Sequence, residues 1–214
     1  EGCEAWRGEV MASPIIHRDI KQHEPEWFAI KAGKWSASKA GVIMGGLETS
    51  GLDALIKDIA WERVYGPTEG GFQSKAMERG NELEFQARDW YAFERDAVVA
   101  QVGFVEHADI PMVGWSPDGM IETSHAIEAK CPLHKAWMEV KRTGRVPAEY
   151  RWQCRWAMWV GVLDGLDFVA FHPQAGGLIV PCEINESERD QMAARVSLLE
   201  VRVAARVDIL NDKK

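Results

Sequence analysis

Hydrophobic positions recur at helical spacing between residues 24 and 95 and then shift to short apolar runs. Residues 24–31 (EPEWFAIK) predict a first helix with Pro25 in its opening turn, where the missing N–H is harmless. Gly33 interrupts it, and 36–44 predict a second helix with Ser36 as cap, ended by Gly45-Gly46. Ser50 is expected to cap a third, in which Leu52, Leu55, Ile56, Ile59 and Ala60 share a face until Gly66-Pro67. The longest early helix runs from about 73 to 95, with Met77, Phe85, Trp90 and Phe93 loosely periodic and the other face charged.

From residue 97 the valine-rich run 97–105 predicts a strand, followed by strands at 112–116 and 126–131. In the third of these, Ala126, Glu128 and Lys130 share one face and Ile127, Ala129 and Cys131 the other. Pro132 ends it, and 133–141 predict a helix. Pro147 opens another, carrying Trp152, Trp156 and Trp159 at helical spacing, which reads as core packing rather than a base-stacking platform. Two strands follow at 167–172 and 178–184, the last an edge or bulged strand because it contains Pro181. An amphipathic helix over 187–210 closes the chain with Met192, Val196, Leu199, Val203 and Val207 in one stripe. With no repeat or linker, the order predicts a single mixed α/β domain of α+β type over 14–214, a central mixed sheet flanked by helices. Residues 1–13 lack a period and contain Met11, and read as a non-native or disordered extension.

Composition narrows the class only a little. A hydrophobic content of 46% and a charged content of 27% are those of a soluble globular domain. No apolar run nears the roughly 20 residues that span a bilayer, and no basic-then-apolar leader is visible, so a cytoplasmic protein without membrane contact is expected. Cys3, Cys131, Cys154 and Cys182 form no CxxC pair, which suits reduced thiols and excludes an evident zinc or iron–sulfur site. The histidines show no metal-binding spacing, and no GxxxxGK[ST] loop is present. A net charge of −8 counts against a passive DNA-coating role, though not against a nuclease with a local basic channel.

The chemistry gathers in Gly114-Trp115-Ser116-Pro117-Asp118-Gly119, separated by nine residues after Asp118 from Glu128-Ala129-Lys130. Pro117 forces an extended entry and Gly119 permits a tight turn. Glu128 and Lys130 point the same way, so Asp118 beside them would complete a divalent-metal site with an ammonium next to it. Asp118, Glu128 and the carbonyl of Ala129 are hard oxygen donors suited to Mg²⁺. Lys130 would orient water or offset developing negative charge. A Glu-x-Lys pair by itself reads as a surface ion pair, and it is the Ser-Pro-Asp-Gly turn at this distance that turns the reading toward a metal site.

This pattern resembles the PD-(D/E)xK nuclease motif, and its setting is similar to the lambda-exonuclease-like (YqaJ-type phage recombinase) family. Trp27 to Ser38, Arg79-Gly80 to Glu84, and Gln153 to Val160 fall in that family's order, and the likeness covers roughly residues 24–175. The resemblance implies that Glu84, at Gly-x-x-x-Glu spacing, completes the acidic site, with Glu82 the competing choice. It implies that Lys31, Ser38, Ser116 and Gln153 cradle a terminal 5′-phosphate, lysine at 31 supplying charge without arginine's fork. Trp156 stands where the family commonly has tyrosine. Lys34, Lys39, Lys75 and Arg79 are candidate duplex-backbone contacts.

What the resemblance implies in full is a Mg²⁺-dependent (Mn²⁺ as substitute) 5′-to-3′ exonuclease that digests one strand of double-stranded DNA by two-metal phosphodiester hydrolysis. The setting is phage-type recombination in a bacterial cytoplasm, with a homotrimeric ring around DNA ends and a single-strand annealing protein as partner. Two alternatives keep the fold: a structure-specific or restriction-type endonuclease, and a non-catalytic DNA-binding module.

Overall fold

The structure is a computed structural model that describes residues 12–68 and 75–212, with the backbone alone for 75–81. Residues 1–11 of the expected extension, and the side chains of Lys75 and Arg79, lie outside the described residues. The order is β1 (Ile15–His17), α1 (Pro25–Lys31), β2 (Trp35–Ser36), a 3₁₀ turn (Ala37–Lys39), α2 (Ala40–Ile43), α3 (Ser50–Tyr65) and α4 (Lys75–Arg95). There follow β3 (Phe104–Glu106), β4 (Val113–Trp115), β5 (Gly119–Ile121), β6 (His125–Lys130), α5 (His134–Thr143), α6 (Ala148–Gly161), β7 (Gly165–His172), β8 (Gly176–Cys182) and α7 (Glu186–Asn211).

The mixed α/β class is as the sequence pattern indicates, but the expected central sheet is divided into two. One has the order β1-β3-β4-β2 and the other β5-β6-β7-β8, each mixing parallel and antiparallel pairs. The break falls at Ser116-Pro117-Asp118, where proline lacks the N–H needed to continue a ladder. The valine run contributes only Phe104–Glu106 and one isolated bridge, Ala100 with Met120, that stitches the sheets together. β8 is an edge strand, which accommodates Pro181.

Helix ends follow local chemistry with small shifts. Thr49, not Ser50, caps α3, its Oγ1 accepting from the Leu52 N–H at 3.2 Å. Ser36 makes no capping bond; its hydroxyl lies 3.2 Å from that of Ser38, and the expected helix over 36–44 begins as a 3₁₀ turn. Asn185 and Glu188 form a reciprocal capping box at the start of α7.

The main core lies between α2, α3, α6 and α7 and one face of the second sheet, and includes Trp115, Trp156 and Trp159. A smaller cluster packs Ala87 and Tyr91 of α4 against Ile127, Ala129 and Val169 on the opposite face. β6 is therefore covered on both sides, by α6 over Ala126, Glu128 and Lys130 and by α4 over Ile127 and Ala129. Among the described residues, no helix is long and apolar enough to cross a membrane.

Candidate functional site

The β5–β6 ladder runs out at the Gly119–Ile127 pair, so the Ala129 N–H has no strand partner on that side. Asp118 Oδ2 takes it, accepting at 2.7 Å, and this fixes the carboxylate against the edge of β6. The turn that delivers Asp118 is held from below by Gln22, whose amide donates to the carbonyls of Val102 (2.9 Å) and Pro117 (2.7 Å). Gly119 is needed here, because a Cβ would meet Val99 Cγ1 at 2.4 Å.

Glu128 points into the α6 face and is 1% exposed. Its Oε1 accepts from the Lys130 ammonium and from Gln153 Nε2 at 2.5 Å, while Oε2 has no partner. Burial first, and the charge of Asp118 second, push its carboxyl up to about 8. Lys130 Nζ also donates to the Ala129 carbonyl at 3.2 Å and lies 3.9 Å from Asp118 Oδ2. Burial favours the neutral amine, but the carboxylates of Glu128 and Asp118 outweigh it and hold Lys130 as an ammonium.

Glu84 reaches the same place from α4. Arg88, one turn on, bonds Glu84 Oε1 at 3.0 Å and also donates to the Asp118 carbonyl. Burial, then Asp118, raise the Glu84 carboxyl above its ordinary range. A cleft of about 590 Å³ opens beside Glu84 and Arg88. Glu82 is exposed and has no bond to these groups, so Glu84 is the acid that α4 turns toward Asp118.

No three His, Cys, Asp or Glu side chains among the described residues are close enough to hold a metal by themselves. The oxygens that converge are Asp118 Oδ2, Glu128 Oε1 and the Ala129 carbonyl, all around Lys130 Nζ. They fit a divalent cation on two counts: every donor is a hard oxygen, and the buried Glu128 Oε2 lacks a counterpart that a small cation would give it.

The residues expected at a 5′-phosphate are partly gathered. Trp27 joins two of them, its indole Nε1 donating to Ser116 Oγ at 2.9 Å and its ring lying 3.6 Å beneath Lys31 Nζ. Burial brings the Lys31 ammonium down to about 8, only partly offset by Glu62. Ser38 bonds Ser36, which pairs with Gly114 two residues before Ser116. Gln153 faces Glu128 instead. Lys34 is engaged with Glu106 (2.8 Å) and the Pro111 carbonyl (2.6 Å). Trp156 is fully buried and donates to the Gly114 carbonyl at 3.3 Å, and Trp159 is core as well.

A model of the YqaJ-like viral recombinase domain matches residues 26–164. The alkaline exonuclease LHK-Exo from Laribacter hongkongensis is similar at 28% identity and a TM-score of 0.79, over 87% of this chain and 96% of that one. A structure of LHK-Exo in complex with dAMP is similar to the same extent, with a TM-score of 0.80. A phage-related exonuclease from Haemophilus somnus 129PT shares the fold at 16% identity and a TM-score of 0.63, over 83% of this chain and 96% of that one. No curated protein matches the chain.

Proposed function

Because the chain belongs to the YqaJ-like viral recombinase family, we propose that it is a Mg²⁺-dependent nuclease that digests one strand of duplex DNA from the 5′ end. The convergence of Asp118, Glu128 and the Ala129 carbonyl around Lys130 carries this reading. The exonuclease and dAMP complex among the similar structures support a DNA substrate.

Held by Asp118, Glu128 and the Ala129 carbonyl, Mg²⁺ or Mn²⁺ would polarise the scissile phosphate and lower the pKa of water. The protein's own groups do the rest. Lys130, kept charged by its carboxylates, orients the attacking water and offsets charge at the phosphate. Glu84, tied to Arg88, adds a further acidic oxygen on the Asp118 side. Gln153 holds the Glu128 carboxylate in its rotamer, its amide donating to Oε1. Lys31, Ser38 and Ser116 receive the terminal 5′-phosphate. Ser116 Oγ accepts from Trp27, so its own proton is left to donate to a phosphate oxygen. The reading extends to a homotrimeric ring on DNA ends and to a single-strand annealing protein as partner.

Linear duplex labelled separately at the 5′ and 3′ ends should lose 5′-labelled mononucleotide first, only with Mg²⁺ or Mn²⁺. Covalently closed circles should survive; circles cut as fast as linear ends would establish the endonuclease instead.

Lys31 gives this reading a pH signature. Its folded-state pKa is lowered to about 8, so it is charged below that pH and neutral above it. Preference for a 5′-phosphate over a 5′-hydroxyl end, measured as a ratio of kcat/KM, should therefore decline between pH 7 and 9. Lys31→Arg, permanently charged, should hold the ratio level. A wild-type ratio flat across that range removes Lys31 from phosphate recognition.

A further inference from the structure

Residues 134–155 contain six Lys or Arg and two Glu, in a chain whose net charge is −8. This basic stretch begins four residues after Lys130 and includes α5, the turn after it, and most of α6. Gly144, with φ 60°, ends α5 in the left-handed conformation and turns the chain so that Arg145 follows at once. Arg145, Arg151 and Arg155 then line one open cleft of about 480 Å³ with Cys154 and the outer edge of β8.

Arg155 is preset in that cleft. Its guanidinium bonds Glu188 at 3.0 Å and lies 5.3 Å from the Trp152 ring. Arg145 and Arg151 have no ion-pair partner among the described residues, although Glu183 also lines the cleft. Two guanidinium groups left without carboxylates, in an acidic protein, are placed to meet an external anion. Arginine's planar fork suits phosphate oxygens in particular.

The cleft does not repeat the catalytic centre. Residues 151 and 155 are each two positions from Gln153, about 200° around the helix. Gln153 touches Glu128, so the arginines occupy the opposite flank of α6, roughly 10 Å across. A group bound there cannot be the scissile phosphate, yet it lies within the span of one duplex.

We propose that the Arg145–Arg151–Arg155 cleft is a second phosphate-binding site, one that holds the phosphodiester backbone of duplex DNA on the side of α6 opposite the catalytic carboxylates. It rests on the nuclease reading for its substrate. Contacts of this kind are sequence-independent, position the duplex, and depend steeply on salt.

The test is equilibrium binding of a fluorescent linear duplex in EDTA, where cleavage is arrested, across a salt series. Arg145→Glu/Arg151→Glu should raise Kd at least tenfold and reduce the slope of log K against log salt by about 2, near 0.9 per lost phosphate contact. Arg202→Glu/Arg206→Glu on α7 changes net charge equally and should leave the slope unchanged. Arg145→Gln/Arg151→Gln, with the melting temperature recorded, covers the case in which charge reversal disturbs folding. Equal slopes for the cleft variants and wild type overturn the proposal, and so do equal losses for both arginine pairs. Wild-type protein that binds duplex through these arginines but never cuts it with Mg²⁺ removes the nuclease reading and leaves the cleft. A Mg²⁺-dependent nuclease indifferent to the cleft substitutions does the reverse.

Discussion

Lys130→Ala is expected to lose at least about 10³-fold in kcat on linear duplex, to melt well below wild type in EDTA, and to gain more from Mg²⁺ than wild type does. Glu128 is 1% exposed in the wild-type protein, and without the ammonium it keeps only Gln153 as a partner. An uncompensated buried charge costs roughly 3–5 kcal/mol, which for a chain of this size is a fall of roughly 6–20 °C in melting temperature. Glu128 can escape part of that cost by taking up a proton. Its carboxyl is already pushed up to about 8, and removing the neighbouring cation moves it further up. A raised carboxyl favours the protonated folded state, so the variant's stability should fall as pH rises from about 5 through 8 and beyond. Mg²⁺ held by the same oxygens would supply the missing positive charge, with no ammonium in its way in the variant. Thermal melts with EDTA and with Mg²⁺, beside single-turnover cleavage, separate these effects. Undiminished cleavage, or a metal-induced shift no larger than wild type's, would sink the assignment of Lys130 and its carboxylates.

The sequence carries the parts of this site whose geometry is local. Asp118, Glu128 and Lys130 stand on one turn and one strand, so their spacing fixes their approach once a strand is assumed. The same period-2 logic puts Glu128 and Lys130 on a common face, and the structure has them there under α6. Arg88 was legible in principle as the i+4 partner of Glu84 on a helix, but its second bond, to the Asp118 carbonyl, joins segments 30 residues apart. Gln22 carries no signal at all, because its work depends on two carbonyls 80 and 95 residues away. Trp27 stood in the matched motif without a role; only the fold brings its indole to Ser116 and its ring beneath Lys31. The valine run at 97–102 misleads for a similar reason. β-Propensity describes fitness for a half-buried pleated surface, and here Val98 is 86% exposed while only Ala100 finds a bridge partner. The division into two sheets follows from Pro117, visible in the sequence as a strand breaker. Which strands lie on each side of that break depends on distant pairings, such as β2 beside β4.

Gly114→Ala tests how tightly the Ser116-Pro117-Asp118 turn depends on the sheet behind it. Gly114 is the central residue of β4, two positions before Ser116 and four before Asp118. A Cβ there would stand 2.1 and 2.4 Å from two ring carbons of Phe104 and 3.1 Å from the Val105 carbonyl. Phe104 is 0% exposed, so its ring has no space to yield without moving its neighbours. The Gly114 carbonyl also accepts from Trp156, which ties any displacement of β4 to α6 and hence to Gln153. Overpacking of this kind costs about 3 kcal/mol, a fall of roughly 6–12 °C in melting temperature. The displaced turn should also weaken use of a 5′-phosphorylated end, as a rise in KM, because Ser116 leaves its place against Trp27. Phe104→Leu removes the ring carbons that the new methyl meets. The double variant Gly114→Ala/Phe104→Leu should therefore melt above Gly114→Ala alone, although Phe104→Leu by itself lowers stability through the cavity it leaves. A favourable coupling above about 1 kcal/mol in that cycle is the signature of a direct clash. Additive losses would place the cost of the alanine somewhere other than the Phe104 ring, and a single variant that melts with wild type would show that β4 can shift without disturbing the turn it holds.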